Sequence, residues 1–409
     1  MIWSSEVVRP AGRSGRKQLF GFLWPSPRNI GSWWSRSGRT FLSRHRARPN
    51  GSDFPKSLWD RREIGGRRRP HSDNVVRRRG ACPGHVAAVD GHAVGVRIHL
   101  DTDLGSDTDD ACALAMLLGW PDAELVGITT SIDPGGRRAG YVSYCLGLAG
   151  RDEVPVAAGA EVSMTTLRFP GSIPDDERYW PSPIRARPAP AGAALDLLAQ
   201  SIDDGATIVA IGPYTNLALL EVARPGSLAR APVVVMGGWV TPPEDDLPAW
   251  GPDMDWNVQC DTRAAEIVAA TALLTLVTLP VTLKAHLRSD CLPRLRRAGP
   301  LGQLLVRQAE AHAEDNDMAR LARDHAALPA DLLNFQYDAV ACAVALGWSG
   351  ALVEERSLET ALDGDVLRFR LTETGRRTRV VVDIEAGDFT ERWLRAVEAA
   401  APLLGGGSV

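Results

Sequence analysis

Residues 96–114, VRIHLDTDLGSDTDDACAL, set five aspartates within ten positions, directly behind an apolar run. Val96–Leu100 reads as a strand and Ala111–Leu118 as a helix, with Gly119 placed to end it. Asp101, Asp103, Asp107, Asp109 and Asp110 therefore fall at the corner between the two elements. Carboxylates this crowded repel one another unless a positive group sits among them. Gly105 lets the backbone turn tightly there. A strand-to-loop-to-helix corner of this kind suits a hard divalent cation with oxygen ligands, Ca²⁺ or Mg²⁺. The plainer alternative is a solvated acidic turn.

Two other acidic loop types fit this stretch poorly. An EF-hand needs Gly at its sixth position and Glu at its twelfth, where Ser106 and Cys112 stand. Phosphatases with an aspartyl nucleophile also open on a DxD pair, but Gly105 occupies the place of their Thr or Val.

The chain's 409 residues allow one large α/β domain or two smaller ones. A near-neutral total charge hides a split. Residues 1–93 hold 17 Arg against 6 acidic residues, with Trp33, Trp34 and Trp59 among them. That stretch shows neither helical nor strand periodicity, and its composition cannot bury a core. It reads as a disordered or non-native extension, the alternative being a basic tail for nucleic acid or an anionic surface. The folded domain is expected over residues 94–405, with no nucleic-acid or membrane partner. Six Cys lack CxxC spacing, which suits buried free thiols in a reducing, cytoplasmic compartment. No apolar run reaches transmembrane length, and the N-terminus lacks a secretory apolar core.

From Val94 onward strand and helix patterns alternate, which predicts a mostly parallel sheet with helices on both faces. Strands are expected at 125–130, 154–158, 207–211, 232–236, 273–281, 366–371 and 379–384. Helices are expected at 138–150, 191–202, 216–222, 262–270, 335–346 and 389–400, and residues 284–332 read as largely helical. The Pro-rich stretch 162–190 reads as a lid or active-site loop. Ligands of such sheets sit beyond the carboxyl ends of the strands. Asp101–Asp110, Ile211-Gly212-Pro213-Tyr214-Thr215-Asn216 and Met236-Gly237-Gly238 all follow predicted strands.

The acidic stretch resembles the D-x-D-x-G-x-D-D-x-x-A-L signature of the inosine–uridine-preferring nucleoside hydrolases. It is two residues longer between Gly105 and Asp109-Asp110, with Leu104 where Pro is usual. Four later blocks resemble the same family in the same order: IGPYTNLAL, VVVMGG, DWNVQCDTRAA and YDAVACAVAL. The resemblance spans most of residues 96–346. It implies a Rossmann-like α/β fold and calcium-dependent hydrolysis of a ribonucleoside to base and ribose, in a homodimer or homotetramer serving nucleobase salvage. By the same resemblance Asp103, Asp110, Asp338 and the carbonyl of Ile211 would hold Ca²⁺. Asp109 would bind ribose hydroxyls, with Asp107 its rival because of the insertion. Asp255, Asn257 and Trp256 would contact substrate. Asp103 would be the general base.

The leaving-group side departs from the pattern. Tyr337 stands where the family has His before the ligand Asp, and can donate a hydrogen bond or simply pack. His312 and His325 read as solvated positions on a polar helical stretch. Asp133-Pro134 replaces an expected Gly-Asn. Trp239, Trp250, Trp256 and Tyr179-Trp180 are candidate stacking partners for a base. Two further hypotheses stay open: a ribose- or nucleoside-binding protein without hydrolysis, and an aspartyl-nucleophile phosphatase.

Overall fold

Alternating apolar runs and amphipathic stretches resolve into one large sheet wrapped by helices. A computed structural model describes residues 95–105, 107–165 and 177–401. The basic extension and part of the Pro-rich stretch lie outside these. In chain order the strands are β1 (Val96–Thr102), β2 (Ala123–Thr130), β3 (Val156–Ala158), β4 (Thr207–Ala210), β5 (Pro232–Met236) and β6 (Leu273–Val277). They continue with β7 (His286–Arg288), β8 (Leu332–Phe335), β9 (Ala351–Asp363), β10 (Val366–Leu371) and β11 (Arg376–Ile384).

Nine of these form a sheet in the order β10-β9-β11-β6-β5-β4-β1-β2-β3, and β7 pairs with β8 apart from it. All pairings from β11 through β6, β5, β4, β1 and β2 to β3 are parallel. Only β9 runs against its neighbours, β11 and β10. The chain first builds outward from β1 to β3, then returns to lay β4 on the other side of β1. That reversal opens a crevice at the carboxyl ends of β1 and β4, the usual ligand position in such sheets.

Both faces are covered, as the near-continuous apolar strands require. One core gathers the helices Asp109–Gly119, Arg137–Leu148, Gly299–Asp315, Tyr337–Ala345 and Ala386–Ala399. The other gathers Ala193–Asp203, Thr215–Ala223 and Thr262–Thr271. The five described cysteines are buried. No described helix is long and apolar enough to cross a membrane.

Some element boundaries differ from expectation for local reasons. The stretch 273–281 is not one strand, because Pro280 sits in the first turn of a short helix, Leu279–Thr282. Residues 284–332 are largely helical, interrupted by β7, the turns around 316–317 and 325–331, and the start of β8. β9, thirteen residues long, was not anticipated: its side chains are mostly exposed or half-buried, so it lacks an apolar signature.

β1 also carries a buried polar thread beneath the site. His99 Nδ1 lies 2.8 Å from Ser201 Oγ, and Nε2 lies 3.0 Å from Thr129 Oγ1. Thr129 Oγ1 donates to Asp101 Oδ1 at 2.5 Å. Its one proton is thereby used, so Nε2 must carry hydrogen and donate to it. Burial holds the imidazole down at about 3. The unfolded chain takes up a proton at this ring near pH 6.5 while the folded chain stays neutral, so acid favours unfolding. Between pH 7 and pH 5 this costs about 2 kcal/mol of stability. Urea unfolding of wild type and His99→Gln across that range should differ in slope by this amount. Parallel curves would show that His99 makes no such contribution.

Candidate active site

The crevice floor is built where β1 ends. Thr102 Oγ1 accepts from the amide of Leu104 at 3.1 Å and donates to Asp110, pinning the turn at both sides. Gly105 takes φ 128°, a conformation that favours glycine. The helix Asp109–Gly119 then starts with two acids in its first turn, where the helix dipole favours negative charge. Across the crevice, Ile211 directly follows β4, and its amide donates to the Asp101 carbonyl at 2.8 Å. A Cβ on Gly212 would sit 2.8 Å from the Asp103 nitrogen and 2.9 Å from its Oδ1, so only glycine allows this approach.

Asp338 arrives from far along the chain. It lies in the first turn of the helix Tyr337–Ala345, just after β8, and that helix packs beside Asp109–Gly119. Ligand oxygens of Asp109, Asp110 and Asp338 come within 4.8 Å of one another, and all three residues are buried. Burial first, then mutual repulsion, pushes each of these carboxyls well above the ordinary range. Asp103 stands at their edge, 6% exposed, and its charge acts on all three. Burial raises it too, against the guanidinium of Arg138.

Arg138 is a feature that sequence reasoning missed. It is 1% exposed and lies 3.7 Å from Asp103 Oδ2. Its Nε donates to the Ile132 carbonyl at 3.0 Å and Nη1 to that of Leu104 at 3.3 Å. Asp133, just before Pro134 at the position of the expected Asn, accepts from the amides of Arg138 and Ala139 and so caps that helix. Nothing in the local PGGRR pattern distinguishes a buried Arg from a solvated one.

The remaining predicted residues line the same crevice. Asn257 Nδ2 donates to the Ile211 carbonyl at 2.9 Å and to that of Met236 at 3.2 Å. Asp255 is buried, with Oδ1 taking the amide of Val258 at 3.1 Å and Oδ2 that of Gly238 at 2.6 Å. Burial lifts it to about 6 against these two bonds. Trp256 is 43% exposed, and its Nε1 donates to Asp103 Oδ2 at 3.2 Å.

The other candidate aromatics are engaged in packing. Trp180 stacks on Tyr141 with centroids 4.2 Å apart, and Trp250 meets Phe335 edge-on. Trp239 donates to the Trp250 carbonyl at 2.8 Å. Tyr337 lies against Phe335, with its hydroxyl pushed well above its ordinary range by burial and by Asp107, Asp109 and Asp338.

Four buried acids meet one nearby guanidinium among the described residues, so negative charge is left uncompensated. Hard carboxylate oxygens converging at this spacing fit a divalent cation with oxygen ligands.

The family profile described as inosine-uridine preferring nucleoside hydrolase matches residues 98–395. The pyrimidine-specific ribonucleoside hydrolase RihA of Salmonella agona is 32% identical over 212 residues, 49% of this chain and 66% of that protein. The RihA of Salmonella typhi matches to the same extent. The match thus covers slightly less than two thirds of these relatives. Among solved structures, the plant nucleoside hydrolase PpNRh1 superposes with a TM-score of 0.62 at 22% identity, covering 74% of this chain and 99% of that one. A purine-preferring ribonucleoside hydrolase from Gardnerella vaginalis gives 0.62 at 22% identity, covering 75% and 99%. These two likenesses concern the fold.

Proposed function

The chain belongs to the inosine-uridine preferring nucleoside hydrolase family, and from that premise we propose that it hydrolyses the N-glycosidic bond of a ribonucleoside or close analogue to free base and ribose. The observation that carries this reading is the buried trio Asp109, Asp110 and Asp338, drawn from opposite ends of the domain to the crevice between β1 and β4. In this reading Asp110, Asp338, Asp103 and the Ile211 carbonyl hold a Ca²⁺ ion. When bound, the ion supplies a Lewis-acidic anchor for vicinal hydroxyls and for a water.

The chain's own groups then do the following. Asp109 accepts hydrogen bonds from ribose hydroxyls. Asn257 fixes the Ile211 carbonyl through its Nδ2, leaving Oδ1 to accept from the sugar. Asp255 orients Asn257 by capping the helix that carries it, and adds negative charge at the sugar's edge. Asp103, held between Arg138 and the indole of Trp256, takes a proton from the attacking water. The ring of carboxylates favours the cationic, oxocarbenium-like sugar of the transition state. The exposed face of Trp256 covers the substrate, and Tyr337 walls the leaving-group side. Five buried cysteines accord with a reducing, cytoplasmic setting, where the released base enters salvage.

A panel of purine and pyrimidine nucleosides, incubated with and without chelator, tests this reading. Free base should be released from at least one member. Chelation should lower the rate at least about 100-fold, with recovery on adding Ca²⁺. Saturable ribose binding with no base released from any nucleoside would replace the hydrolase by a binding protein.

A further inference from the structure

The acidic loop is longer than the family pattern, and the structure shows where its extra acid goes. Asp107 is not part of the buried trio. Its Oδ1 accepts from the Thr108 amide and from Asn334 Nδ2, both at 2.5 Å, so the carboxylate is fixed from two elements. The same oxygen lies 3.4 Å from His312 Nδ1. His312 was expected on a solvated helix face, yet it is 5% exposed. Asn316 Nδ2 also approaches Nδ1, at 3.2 Å, but it donates to the His312 carbonyl at 3.0 Å. Both contacts are made at Nδ1, where the protonated ring can donate to Asp107. Nε2 takes no part in either contact.

The pair borders the catalytic crevice. The charge of Asp107 is felt at Asp103, Asp109, Asp110 and Tyr337. Among the described residues Asp315, on the same helix, is another charged group that the imidazole acts on, bound to Arg178 at 2.6 Å and to the Tyr179 hydroxyl at 2.9 Å. His99 and His286 spend ring nitrogens on partners inside the fold. Tyr337 is packed on Phe335.

We propose that His312 protonates the departing base, with Asp107 as the residue that positions it. The inference rests on the nucleoside hydrolysis proposed above. As the C1′–N bond breaks, its electron pair passes to the ring nitrogen of the base, and the proton on Nε2 of the imidazolium follows it. Water forms the new C1′–O bond and yields its proton to Asp103. His312 ends neutral and Asp103 protonated, and proton exchange through solvent restores both. Asp107 holds the ring through Nδ1.

The test compares a nucleoside with 4-nitrophenyl β-D-ribofuranoside, whose leaving group departs without a proton. His312→Gln should lower kcat/KM on the nucleoside about 100- to 1000-fold and on the nitrophenyl riboside by no more than about threefold. Asp107→Asn, which keeps the imidazole, should show the same selectivity at about tenfold, and decides the matter if His312→Gln does not fold. Nucleoside turnover near wild type, or equal loss on both substrates, would overturn the assignment while hydrolysis itself stands. Wild-type protein inactive on every nucleoside would instead remove the reading beneath it.

Discussion

Asp103→Asn should cut turnover of the best nucleoside by about 10³- to 10⁴-fold at saturating substrate and calcium. The amide matches the carboxylate in shape but cannot take a proton from water. The surroundings argue that the loss will be chemical. Asp103 Oδ2 receives the Trp256 indole at 3.2 Å and faces Arg138 at 3.7 Å. An amide oxygen can accept both, so the walls should stay in place. Arg138 keeps its bonds to the carbonyls of Ile132 and Leu104, which limits the cost of losing its counter-charge. Removing one of four neighbouring acids also relieves repulsion among the rest. Far-UV circular dichroism and the melting temperature without metal should therefore change little. Turnover within tenfold of wild type would take Asp103 out of the proton transfer.

The parts of this molecule that could be read from its sequence are those where chemistry and periodicity coincide. The stretch from Val96 to Gly119 was legible because a buried parallel strand, a glycine turn and a helix start each impose a separate residue pattern. Ile211-Gly212 was legible because the backbone passes too near Asp103 for any side chain. β9 was not, because a strand exposed on both faces needs no apolar alternation. His312 was misread for a related reason. Its helix is polar overall, and the partner that draws it inward, Asp107, lies about two hundred residues earlier. Arg138 is a similar case: beside the nearby Ile132 carbonyl, it is held by the carbonyl of Leu104, 34 residues earlier, and by Asp103, which no local window contains. What stayed hidden was the pairing of polar groups across the fold, since nothing in the residue types fixes which acid meets which base.

Asp338→Asn should abolish the response to calcium and, with it, nucleoside hydrolysis, while making the metal-free protein more stable. The sign follows from the trio. Asp338 lies within 4.8 Å of Asp109 and Asp110, measured between ligand oxygens, and all are buried. Two unit charges at that separation repel by about 3 kcal/mol at an effective dielectric near 20. Each acid of the trio is therefore a liability until a cation joins it. An amide at position 338 removes the repulsion and can still accept a hydrogen bond, so the metal-free variant should melt a few degrees above metal-free wild type. Calcium should reverse the order. At a concentration 100 times its dissociation constant, an ion that binds only the folded state adds about 2.7 kcal/mol to wild type. The variant, short of one anionic ligand, should gain almost nothing. Thermal melts of both proteins with chelator and with calcium measure this without any substrate. Equal calcium shifts would exclude Asp338 from the metal site, and a variant that melts lower with chelator would show that the trio is not repulsive.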